Sequence, residues 1–513
     1  MYLDLIKSFH LLTTWFFLFV FNVQPIFASD TGNLASPSFR MSETVYKLGS
    51  IPNKTIFYPD TLKTNDPIMD SIAFAVKWPA TSPGVSVFLN HKKSPFYDTI
   101  SSMGPVFSPD GKRMAFIARL KNKSYAVIDG EQSEPYESIA NLVFSPDGSK
   151  IAYLARSDKA NHFMVLNGVK NKNFQGIRGN GHPLFSPDGK TVVYPAYRNS
   201  KWFMVVNGDE RPSFDEVKLP CFSPDSTRFV YAAKRQGSWS MVSNETIGRP
   251  YPDIFSFNFS QDSKHLAAHI KKPSGQAIVL DDKEHDSWDA VTSPLFSPDS
   301  QRLMYTAREA NKNCVIVDRR KGPWYRRIGP YRFSGNSKHF TYIATSDTKT
   351  FVVNDHQKGK DYDSASLPVY SPDSSQNAYV AKQNSRQFIV LNHMEQEACD
   401  SVHTFSFSPD SKHIAYVAEK NDKKFIVMGN KMYPNYENIG SLAISPDSRH
   451  VAYQAFRDGK WFLVVDDVEG KEMFRGFVRN APIRFKSPDS FQTMGIRTGT
   501  NEPVFVKVDV TIN

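Results

Sequence analysis

A short turn, most often Ser-Pro-Asp followed by Gly or Ser, recurs twelve times along the 513 residues, and from Asp188 to Asp447 every step is 37 residues. The third-position residues are Asp60, Asp110, Asp147, Asp188, Asp225, Asp262, Asp299, Asn336, Asp373, Asp410, Asp447 and Asp489. A fixed period of this length means stacked copies of one supersecondary unit, none of which buries its apolar faces without its neighbours. Pro presets φ for a turn, and the Ser and Asp side chains bond the local backbone. Two copies are degraded, Ser260-Gln261-Asp262-Ser263 and Ser334-Gly335-Asn336-Ser337, but their spacing is intact, so they are read as further units.

Each unit holds four strand-like runs. In the third copy these are 141–144, ending at the turn, then 150–155, 163–167 and 174–177. Runs of four to six residues punctuated by Gly, Asn, Asp and Pro fit an all-β repeat, and helical periodicity is nowhere sustained. Four antiparallel strands in about 40 residues make the blade of a β-propeller.

Phe107-Ser108-Pro109-Asp110-Gly111, Phe144 to Gly148 and Phe185 to Gly189 carry a motif that resembles the WD40-like (PD40, TolB-type) propeller repeats of exported bacterial proteins. The likeness spans nearly the whole chain after its first residues. It implies fold rather than activity. TolB-like proteins also carry an α/β domain ahead of the propeller, and this sequence leaves no room for one, so a Tol-system role is not expected.

Residues 1–28, with Lys7, an apolar stretch from Leu11 to Phe21 and Ile26-Phe27-Ala28, read as a signal peptide. The apolar run falls short of the ~20 residues of a bilayer span. The reading is therefore an exported, periplasmic or secreted monomer whose residues 29–513 form the propeller. After Asp489 the last unit has a second run, 491–497, and a third, 503–509, but no fourth. Tyr46-Lys47-Leu48-Gly49-Ser50, similar to Tyr436-Glu437-Asn438-Ile439-Gly440, is expected to supply it and to cover an open sheet edge. Unbroken spacing across the middle favours one ring of twelve over two of six. Sheets about 10 Å apart would then trace a mid-blade circle roughly 40 Å across.

The net charge of +10 points to an anionic envelope polymer or an acidic protein rather than nucleic acid. Cys221, Cys314 and Cys399 show neither disulfide nor metal spacing, and are read as buried thiols. No Gly-x-Ser-x-Gly elbow occurs, and Ser346-Asp347-Thr348-Lys349 falls in a loop where no helix aligns Ser with Lys. The turn aspartates each serve their own repeat. Neither enzyme, metal site nor cofactor is expected. What remains is a binding scaffold, with a carbohydrate-active or carbohydrate-binding propeller as the alternative.

Two sets of candidate residues follow. Arg319, Arg320, Lys321, Trp324, Arg326 and Arg327 crowd cations around aromatics, suited to an anionic or sugar-bearing partner. Asn258, Arg332 and Arg484 replace the apolar residue that precedes the turn phenylalanine, as Val106 or Val143 does elsewhere. They mark either a polar patch facing the channel or, at Arg484, a local bulge.

Overall fold

The structure is a computed structural model, and it describes residues 41–50, 52, 56–64, 71–78, 84–158, 161–177, 183–478, 481–498 and 503–513. The expected signal peptide, 1–28, lies outside the described residues. Among the described residues every regular element is a strand, and the strands form twelve antiparallel sheets, each one blade. In blade 3 the order is Ser138–Phe144, Ile151–Arg156, His162–Leu166 and Val169–Lys170. The second strand is buried from Ile151 to Ala155 because both faces of the sheet are covered by neighbouring blades. That is why it reads as a continuous apolar run rather than an alternating one.

One strand assignment is corrected. The run 174–177 is not the fourth strand, which is the two-residue Val169–Lys170. Phe174 bridges His162 on the third strand, and the chain then crosses so that Gly176 and Ile177 pair with Tyr197 and Ala196 of blade 4. So short a fourth strand leaves the far end of the third uncovered, and an aromatic closes it before the chain departs. An acid often follows that aromatic and caps the next hairpin: Asp215 accepts from Gln236 N at 2.9 Å and Asp363 from Asn384 N at 3.0 Å.

The apolar clusters between blades follow one another in an unbroken cycle. Blade 6 gives Ala267 and Ile278 to a cluster with Trp288, Tyr305 and Ile316 of blade 7, where two rings of six would have returned it to blade 1. Blade 1 packs instead on blade 12, with Ile72, Phe74 and Val76 against Val478, Met494 and Phe505, and Phe74 and Phe505 have ring centroids 5.1 Å apart. The molecule is a single twelve-bladed β-propeller. Its seam is closed by Met41–Ser50, which pairs with Pro503–Ile512 in a register that sets Val45 against Val508 and Tyr46 against Lys507. This outermost strand is ten residues long, where the fourth strands of most blades have two. The first turn is misplaced in the sequence reading. Residue 60 lies inside the first strand of blade 1, Ile56–Thr64, at a register shift between Tyr58 and Lys63, which explains the irregular 50-residue step to Asp110.

In the ten turns from Asp110 to Asp447 the Ser hydroxyl donates to the Asp carboxylate, or to the Asn336 amide oxygen, as Ser223 does to Asp225 at 2.6 Å, and in the same turn Ser223 accepts the N–H that leads into the second strand, that of Arg228 at 2.9 Å. These bonds hold the turn carboxyls low, that of Asp225 at about 2, through the Ser223 hydroxyl first and the Thr227 N–H second. Turns are also bonded to one another. The backbone N–H of Asp188 donates to Ser226 Oγ of the next blade, and the contact repeats as Asp225 to Ser263, Asp262 to Ser300, Asp299 to Ser337, Asn336 to Ser374, Asp373 to Ser411 and Asp410 to Ser448, all at 2.9 to 3.1 Å. The degraded turns at Asp262 and Asn336 keep the belt. Where the fourth position is Gly, a Cβ would meet the carboxylate of the preceding turn, at 2.8 Å from Asp147 in the case of Gly189. Ser300→Ala removes one acceptor and keeps a strained φ of +66°, so it is expected to cost about 1 kcal/mol in denaturant unfolding. Ser300→Gly loses the same bond but suits the backbone, and should cost less.

Glu43 sits at the closing seam. One carboxylate oxygen accepts from Glu472 N at 2.9 Å, while burial pushes its pKa up to about 7 against the opposing pull of a backbone N–H and the Arg497 charge. A carboxyl raised above its unfolded value of 4.5 favours folding while protonated. That contribution is intact below 4.5 and is lost as pH rises through about 7. Glu43→Gln is expected to raise the melting temperature relative to the parent at about pH 8, with the gap closing toward about pH 5.

Candidate partner-binding surface

On blade 7 the third strand Lys312–Val317 turns through Asp318 and Arg319 into the fourth, Arg320–Lys321. Both turn residues have positive φ, 51° and 66°, as a two-residue hairpin of this hand requires. Asp318 locks the turn, accepting from Leu303 N at 2.9 Å and from Arg302 Nε at 3.0 Å. The hairpin therefore projects Arg319 and Arg320 from a fixed base.

Behind them the Lys321 ammonium lies over the Trp288 ring, 4.5 Å from its centroid, and Trp288 meets Trp324 at 5.9 Å and 59°. Trp288 is buried and Trp324 is 38% exposed. His285, buried beside Tyr305, has its pKa pushed down to about 4 by burial first and the Arg319 charge second, so the imidazole is neutral and adds no cation to the surface. Arg326 pairs with Asp347 at 2.9 Å, and Arg327 begins the first strand of blade 8, Arg327–Phe333.

The six candidates thus divide. Arg319, Arg320, Lys321 and Trp324 share the outer side of blade 7, while Arg326 and Arg327 have crossed toward blade 8. Several rim cations on other blades are neutralised across the seam, as in Lys170–Glu134, Lys360–Glu395 and Lys431–Asp467 at 2.6, 2.7 and 2.6 Å. Lys321 meets an indole instead. Among the described residues Arg319, Arg320 and Arg327 make no ion pair. Trp288, missed in the sequence reading, lies one 37-residue period before Tyr325, at the aromatic crossing position. Stepping back one repeat from Tyr325 finds it.

Asn258, Arg332 and Arg484 do not come together. They lie on the first strands of blades 6, 8 and 12, and blades 6 and 12 are diametrically opposed in a ring of twelve. Asn258 donates to the Pro294 carbonyl of blade 7 and so ties two blades. Arg332 is half-buried, and its charge opposes the burial that raises the Tyr370 phenol of blade 9. At Arg484 the register shifts between Phe485 and Ser487, the bulge that the extra residue suggested. Cys314 and Cys399 are buried and Cys221 half-buried, all as free thiols. Ser346 and Lys349 exchange backbone and side-chain hydrogen bonds across their own loop.

Fold and surface together define a twelve-bladed propeller with an uncompensated basic, aromatic rim at blade 7. No family model matches the sequence, and no curated protein matches it. Among solved structures, a eukaryotic initiation factor is similar at 15% identity and TM-score 0.31, covering 63% of this chain and 98% of its own. The Dos1 propeller is similar at 11% and 0.28, covering 58% and 92%. The dihydro-heme d1 dehydrogenase NirN, in complex with DHE, is similar at 14% and 0.27, covering 56% and 74%.

Proposed function

We propose that this chain is an exported, non-enzymatic binding scaffold that presents its blade 7 rim to an acidic protein or an anionic envelope polymer. The observation that carries the reading is the set of arginines without an ion pair, Arg319 and Arg320 on the blade 7 hairpin and Arg327 at the start of blade 8, with the exposed Trp324 between them in sequence. Guanidinium groups on a rigid hairpin lose little entropy on engaging carboxylate, sulfate or phosphate, and an exposed indole adds a stacking face. The charge of +10 supports an anionic partner. Export rests on the leader-like sequence of residues 1–28. The recurrent carboxylates are engaged in turns and hairpin caps, which suits a scaffold.

The test measures binding of a sulfated polysaccharide and of a poly-glutamate peptide to the full chain across a salt series. Replacing Arg319, Arg320 and Arg327 by Ser removes three contacts worth about 0.5 kcal/mol each, an expected affinity loss of about tenfold with a shallower salt dependence. Unchanged affinity and salt slope in the triple variant would refute the reading.

A further inference from the structure

The residue three positions after the turn Asp or Asn is long in blades 2 to 11 at every copy but one: Arg113, Lys150, Arg228, His265, Arg302, His339, Gln376, His413 and His450, with Thr191 the exception. Five of these side chains span the seam to the next blade. Arg228 donates to the carbonyls of Ser263 and Lys264 at 3.2 and 2.9 Å, and Arg113, Lys150, Arg302 and Gln376 reach the corresponding carbonyls of their own neighbours. In three of the histidine copies the ring pairs with an aspartate of its own hairpin, as His265 does with Asp281 at 2.6 Å. Thr191 spans nothing. Among the described residues no side chain donates to the carbonyls of Ser226 and Thr227 across that seam.

A cavity of about 310 Å³ opens there, between blades 4 and 5. Blade 5 widens it from the other side. Its hairpin residues Asn244 and Glu245 lead into a six-residue fourth strand, Thr246–Tyr251, and Asn244 N reaches Phe229 O only at 3.4 Å, against 2.9 Å for Asn207 N to Val192 O in blade 4. One wall is aromatic: Phe229 lies between Phe222, at 4.9 Å and 37°, and Tyr231, at 5.6 Å and 29°. The other wall is rich in acceptors, with the two backbone carbonyls and the hydroxyl of Thr191. The cationic groups at the site are already engaged, Arg211 with Glu245 at 2.6 Å and Arg228 across the next seam.

We propose that the seam between blades 4 and 5 is a binding site for a single neutral sugar ring. An aromatic wall accepts the apolar face of a pyranose, and unoccupied carbonyls accept its hydroxyl protons. An anion would meet the open carbonyls and the Glu245 carboxylate, with Arg211 already paired to Glu245 and Arg228 Nη1 turned to the carbonyls of blade 6. The volume stands at the lower end of the roughly 300–1,000 Å³ of small-molecule pockets, enough for one ring rather than a chain. The site is separate from the blade 7 rim, so the two readings stand or fall independently.

Saturation-transfer NMR on the full chain, with the methyl glycosides of glucose, galactose, mannose and N-acetylglucosamine, tests this, with inorganic phosphate as a parallel arm read by its own linewidth. At least one glycoside is expected to bind with Kd of about 1 mM. Thr191→Arg restores the missing span, and should weaken that binding at least tenfold while leaving the melting temperature unchanged or higher. Thr191→Gln serves as the second filling variant should the first not fold. The triple Arg-to-Ser rim variant should bind the glycoside as the parent does. The proposal is overturned by the absence of transfer to all four glycosides, by equal transfer in the filled variants, or by phosphate binding alone.

Discussion

A backbone N–H that leaves one turn and ends on the serine hydroxyl of the next ties each blade from 4 to 10 to the one after it. Seven consecutive seams share it, from Asp188–Ser226 to Asp410–Ser448. Each bond contributes only about 1 kcal/mol and helps to set how one blade sits against the next where it occurs, while blades 2 to 4, with Gly148 and Gly189 in place of that serine, pack without it. The apolar clusters between blades supply most of the stabilisation. The belt adds registry where it runs.

This division explains where the molecule departs from its own repeat. A turn bond, an aromatic crossing and a long residue after the turn recur at the seams, and among the described residues five of the twelve seams have all three. Blade 7 keeps its turn bond but carries Arg319 and Arg320 without an ion pair, and Lys321 lies on Trp288 instead of pairing with a carboxylate. The seam between blades 4 and 5 keeps its bond through Ser226 yet has Thr191 where a long side chain belongs. Neither departure loosens the ring. Both leave chemistry unspent on a rigid frame, and rigid frames are where binding groups are best placed.

The blade count, the single ring and the closing strand were legible in the sequence because they follow from periodicity. Spacing that crosses the midpoint without a break leaves no place for a first ring to close, and the missing fourth run after residue 509 has one source, the strand now paired as Tyr46 with Lys507. The fourth strand was misread because only two residues form it, while the more conspicuous apolar run after it, 174–177, bridges one blade and begins the next. The polar residues on the first strands looked alike in register, although their places in repeats 6, 8 and 12 already set Asn258 and Arg484 on opposite sides of a ring of twelve. Trp288 was hidden for the opposite reason. It occupies the ordinary aromatic position, where a cation over the ring recurs, as Lys170 over Tyr136, and the indole of Trp324 beside it sets it apart.

Amide hydrogen exchange on a chain beginning at residue 51 measures the closure directly. A ring sealed by Met41–Ser50 predicts that amides in Pro503–Ile512 lose protection by orders of magnitude when that strand is removed, with Ile72–Trp78 of blade 1 loosening next and Lys312–Val317, on the far side, unchanged. Full protection of Pro503–Ile512 in the shortened chain would contradict the closed ring.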